Sequence, residues 1–150
     1  MKKSINSVLI AGILSITLSF ATSLARAADK DTLNDRIHSV NDAANKSGNM
    51  KTALHSISVE TGVPESQVEA MHKKYSDIGV AGVLMSCVLA DETKKTPEYF
   101  MDKHKGGKSW TELARESKVA LDKINTRLEH VERTLSHPNS ERKIRTSPKK

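Results

Sequence analysis

At 150 residues the chain has room for one compact domain and too little for two ordinary ones. A single cysteine excludes an intramolecular disulfide framework, and 3% aromatic residues leave few stacking platforms for nucleobases or sugars. The formal charge of +6 is concentrated at the two ends of the chain, as the following residues make plain.

Lys2 and Lys3 precede an apolar run from Val8 to Phe20, and Ala25-Arg26-Ala27 supplies the small-x-small pattern that signal peptidase cuts. The run is roughly 13 residues, short of the ~20 a bilayer-spanning helix requires. Residues 1–27 are therefore read as a cleaved signal peptide, 28–137 as a single helical domain and 138–150 as a disordered basic tail. No cysteine closely follows the apolar run, which disfavours a lipoprotein. The mature chain is expected in the periplasm or secreted, with no transmembrane segment. Removing Lys2, Lys3 and Arg26 lowers the charge from +6 to +3. Arg142, Lys143, Arg145, Lys149 and Lys150 against Glu141 place +4 of this in the tail, so the body is close to neutral at −1.

In the body, Leu33, Ile37, Val40 and Ala44 form one helical stripe that Asp31 is expected to cap, with Ser47-Gly48-Asn49 as its end. Met50, Ala53, Leu54 and Ile57 make the next stripe, closing at Gly62, a residue suited to a left-handed C-terminal bend. Pro64 fits the first turn of a third helix carrying Val68, Met71 and Tyr75. Asp77 to Ala90 is apolar nearly all round and predicts the buried central helix. A short helix starting at Thr96-Pro97-Glu98 is expected to turn Tyr99, Phe100 and Met101 inward. Lys105-Gly106-Gly107-Lys108 reads as a turn, and Ser109-Trp110-Thr111-Glu112 as a capping box. Leu121, Ile124, Leu128, Val131 and Leu135 form the seam of the last helix, which His137-Pro138 stops. No segment alternates as a strand would. The predicted fold is all-α, a small bundle of about five to six helices.

Placing Leu54 over Trp110 aligns two stretches. Ile57 then meets Leu113, Glu60 meets Glu116, Thr61 meets Ser117, Val63 meets Val119 and Val68 meets Ile124. Each reads as a helix-turn-helix-like hairpin in which Val63 or Val119 plugs the turn, with Lys118 at the position of Gly62. The spacing resembles DNA-binding helix-turn-helix units. The second helix of the first copy, however, offers Glu65 and Glu69, which repel phosphate, and that of the second offers Asp122, Lys123, Asn125 and Arg127. The hairpins are accordingly read as packing devices. Glu60-Thr61-Gly62-Val63-Pro64 and Gly107-x-x-Trp110-x-x-Leu113-Ala114 also resemble a group of small, uncharacterised exported bacterial helical proteins with a Gly-(x)-Trp-x-x-Ile/Leu-Ala turn-helix pattern. That resemblance spans Ile57 to Leu128. It implies an exported helical fold and carries no catalytic residue.

Candidates for chemistry are thin. His38, His55, His72, His104, His130 and His137 form no His-x3-His pair, and His130 and His137 lie about 10.5 Å apart along one helix, too far to share an ion. Cys87 sits within an apolar run and reads as a small buried hydrophobe, and the Lys105–Ser109 stretch lacks the phosphate-loop spacing. No catalytic, cofactor-binding or metal-binding residue is assigned. The expected function is a non-enzymatic module that binds a protein or envelope component, or weakly associates with itself. Its candidate partner-binding residues are Lys105, Lys108 and an exposed Trp110, with Arg142, Lys143 and Arg145 in the tail. Nucleic-acid binding through the second hairpin and the tail is the disfavoured alternative, and a minor metal-binding or small-enzyme role is the third.

Overall fold

Apolar residues recur at helical spacing throughout the chain, and the computed structural model is all-α. It describes the backbone of residues 21–46 and 48–137, with side chains from residue 32 onward. Among the described residues seven helices stand where five to six are expected: α1 (Ala21–Asn45), α2 (Asn49–Thr61), α3 (Glu65–Lys74), α4 (Gly79–Asp91), α5 (Pro97–Lys105), α6 (Trp110–Glu116) and α7 (Leu121–Ser136). A 3-10 turn over Ser76–Ile78 joins α3 to α4. The region 138–150, including the expected tail, lies outside the described residues, as do the basic start and apolar run of the expected signal peptide.

α4 is the hub. Val80 to Leu89 are all buried, and α4 packs against α1, α2, α3, α5 and α7. A helix apolar on every side has no solvent face to offer, so the others must surround it. Ser86, within this core, donates its hydroxyl to the Val83 carbonyl at 2.8 Å, as a buried polar group must. Around the hub, α7 lies along α1 and α2 through Ile124, Leu128, Val131 and Leu135, all buried. α1 meets this face with Leu33, Val40 and Ala44, and Arg36 stands 3.5 Å from Glu132 across the contact.

Three local expectations are corrected. Asp31 does not cap α1, because the helix already runs from Ala21. The intervening Ala25, Ala27 and Ala28 are strong helix formers, and no glycine or proline interrupts them. The central helix begins at Gly79 rather than Asp77. Its cap comes from elsewhere in the chain: the Ala81 N–H donates to Asn41 Oδ1 of α1 at 2.9 Å. Gly79, at φ 68°, leaves room for this contact, since a Cβ there would stand 2.7 Å from the same oxygen. Finally, Phe100 and Met101 point into the core while Tyr99 is 39% exposed. Residues two apart on a helix diverge by about 200°, so Tyr99 and Met101 cannot both face inward.

The paired hairpins are packing units. Leu54, Ile57 and Val68 of the first are buried, as are Trp110, Leu113, Val119 and Ile124 of the second, and Val63 packs partly buried against the core. Gly62 and Lys118 both take left-handed backbone conformations, at φ 71° and 59°. Among the described residues Lys118 is the only one other than glycine to do so. The two bends close differently. Gly62 N–H donates to the Ser58 carbonyl, whereas Lys118 and Val119 donate to Arg115 and Ala114 in the double-bonded Schellman pattern. Pro64 precedes the first turn of α3 as its cap residue, one place earlier than expected.

Candidate functional site

The turn between α5 and α6 was the expected partner surface, and its side chains are largely committed to the fold. Ser109 Oγ accepts from the Glu112 N–H at 3.3 Å, and Glu112 Oε2 accepts from the Ser109 N–H at 2.9 Å. This reciprocal cap starts α6 at Trp110, and the bond from the Ser109 backbone holds the Glu112 carboxyl below its ordinary range. Trp110 is thereby delivered into the core. It is 5% exposed, and its Cζ2 lies 3.2 Å from where a Cβ on Gly82 would stand. The expectation of an exposed Trp110 is overturned: the largest apolar side chain of the chain fills the gap that Gly82 leaves on α4.

His104 stacks on the Trp110 ring, with centroids 4.2 Å apart and planes at 22°. Its Nδ1 donates to the Lys108 carbonyl at 2.8 Å, since a carbonyl can only accept. The Lys108 ammonium pairs with Glu116 at 2.5 Å, and that bond raises its pKa. Lys105 lies 3.2 Å from Asp77, whose carboxyl is lowered by the bond from Lys105. Lys105 and Lys108 therefore stay at the surface with carboxylate partners already in place. Arg142, Lys143 and Arg145 lie outside the described residues.

A different cluster stands on the exposed face of α5 and the loop that leads into it. Thr96 caps the helix by accepting from the Tyr99 N–H at 3.4 Å, which fixes the register of the exposed Tyr99. Lys95 Nζ donates to the Tyr99 hydroxyl at 3.1 Å and lies 4.2 Å from the ring centroid. Lys103 Nζ is 5.6 Å from the same centroid. The bond from Lys95, reinforced by the charges of Lys95, Lys103 and Lys108, lowers the phenol's pKa. Neither Lys95 nor Lys103 forms an ion pair among the described residues. Nearby Asp102 accepts from the buried Tyr75 hydroxyl at 2.9 Å. The spacing Lys95, Tyr99, Lys103 was visible in the sequence as i, i+4, i+8, and was missed because Tyr99 was assigned to the core.

The second hairpin, the other candidate surface, has Lys123 and Arg127 paired internally. On α7, Lys123 pairs with Glu92, while Arg127 donates to the Glu60 carbonyl and lies 3.2 Å from its carboxylate. His130 stands 3.2 Å from that same carboxylate, and on the first hairpin His55 pairs with Glu65 at 2.9 Å. Among the described residues no three His, Cys, Asp or Glu side chains gather as metal ligands. Cys87 is buried in α4, and burial pushes its thiol up to about 12, so it stays protonated at neutral pH. No described helix is long and apolar enough to cross a membrane. Compared with protein-family models, curated proteins and solved structures, the chain matches none.

Proposed function

We propose that the chain is an exported, non-enzymatic helical module that works in the periplasm or outside the cell by holding a protein or envelope partner. The outer face of α5 is its contact surface. One observation carries this reading: Tyr99 is exposed between two lysines that have no carboxylate partner among the described residues, where Lys105 and Lys108 are internally paired and Trp110 is buried. An exposed tyrosine is among the residue types enriched at interfaces. The export half of the reading rests on the basic start, short apolar run and Ala25-Arg26-Ala27.

Affinity capture from envelope extract tests the contact surface. The mature protein should retain a component that the Lys95→Glu/Lys103→Glu double variant loses, with the melting temperature of the variant unchanged. An identical capture profile for both proteins would remove α5 as the contact surface.

A further inference from the structure

We propose that Tyr99 is an oxidative modification site: a one-electron oxidant of the peroxidase–peroxide class takes an electron from its phenol, and the ring then bonds to the ring of a second tyrosine. The inference rests on reading the chain as exported and the α5 face as its contact surface, and it adds a covalent step to that contact.

Burial across the whole molecule is the first support, because oxidation of a side chain follows its access to solvent. Cys87, Trp110, Tyr75, Met71, Met85 and Met101 are each no more than 5% exposed, and Met50 is partly buried against the core. Tyr99 is 39% exposed. Residues 138–150 contain no cysteine, methionine, tryptophan or tyrosine. An oxidant arriving from solvent therefore meets the Tyr99 phenol ahead of every other readily oxidised group. The proton is the second support, since a phenol releases it together with the electron. Tyr99 Oη accepts from Lys95 Nζ at 3.1 Å, and that bond lowers the phenol's pKa and eases the loss. Tyr75 instead donates to Asp102 from a buried ring, which a second ring cannot approach. The place of Tyr99 in the fold is the third. Phe100 and Met101 carry the packing of α5, so a bond made at Tyr99 leaves the core as it is. In the coupling, each phenol gives up one electron and its O–H proton. A bond forms between the ring carbons next to the two hydroxyls, and the hydrogen of each joined carbon moves to its oxygen. The O–O bond of the peroxide breaks and takes up both electrons and both protons as two waters.

Treatment of the mature full chain with haem peroxidase, hydrogen peroxide and excess N-acetyltyrosinamide, followed by peptide mapping, tests the proposal. N-acetyltyrosinamide should be joined to Tyr99 with the melting temperature unchanged, and Tyr99→Phe should abolish the adduct. An unmodified Tyr99 beside oxidised Met50, Cys87 or Trp110 overturns the proposal, as does an equal adduct yield from wild type and Tyr99→Phe. In cells exposed to peroxide, the exported chain should form a tyrosine-coupled adduct that Tyr99→Phe does not. No such adduct overturns the proposal even where the free phenol couples. Capture from envelope extract with the Lys95→Glu/Lys103→Glu variant uses no oxidant, so loss of the contact surface and loss of the oxidation site are read separately.

Discussion

Gly62 and Lys118 both take the left-handed conformation, one without a side chain and one with, and the cost differs accordingly. A Cβ on Gly62 would meet nothing within 4 Å, so any penalty for substitution there is backbone strain alone. Gly62→Val should lower stability by about 1–2 kcal/mol or more, because a β-branched residue resists the left-handed region. Lys118 already bears part of that strain at φ 59°, so Lys118→Gly should stabilise by up to about 1 kcal/mol after glycine's unfolded-state entropy is counted. Thermal melts of both variants check the pair: a clear loss on Lys118→Gly would mean that its side chain, rather than its backbone, matters there. The Ser109–Glu112 cap makes a pH prediction. The lowered carboxyl of Glu112 contributes stability above its ordinary value of 4.5, and that contribution is lost as pH falls through the depressed folded value. Glu112→Gln keeps a neutral acceptor and removes only the charge. Its melting-temperature deficit should be visible at about pH 7 and shrink as pH falls below 4.5; a deficit constant with pH would show that the charge contributes nothing.

Among the elements, α4 was the most legible. Its uninterrupted apolar run could belong only to a helix surrounded by others, and Val80 to Leu89 are indeed all buried. Leu84, fully buried at its middle, should cost about 2–5 kcal/mol when replaced by alanine, measured by chemical denaturation. A loss under about 1 kcal/mol would mean that its neighbours collapse into the space. The start of α4 was not legible, because its cap is an asparagine nearly forty residues upstream, on the side of another helix. α5 was half legible. Its proline and threonine marked the start, whereas three consecutive apolar residues left the inward direction open. Packing against α4 decided for Phe100 and Met101 and turned Tyr99 outward.

For the molecule as a whole, the proposed role rests on a proposed compartment, which is inferred from the first residues of the chain rather than from the bundle. N-terminal sequencing of the exported product should begin at Ala28, a position that falls within α1. Recovery of a cytoplasmic protein beginning at Met1 would overturn the export reading. The sequence by itself determined the all-helical class, the identity of the central helix and the capping box. Those features depend on residues within one or two helical turns of each other, where periodicity and backbone preference act directly. Only the tertiary structure decided that Trp110 is buried, that Lys105, Lys108, Lys123 and Arg127 have internal carboxylate partners, and that Lys95, Tyr99 and Lys103 are left standing together at the surface. Asp77, Glu92 and Glu60 lie far along the chain from the cations they meet. Whether an indole is covered depends on a glycine in another helix, and no local pattern encodes either pairing.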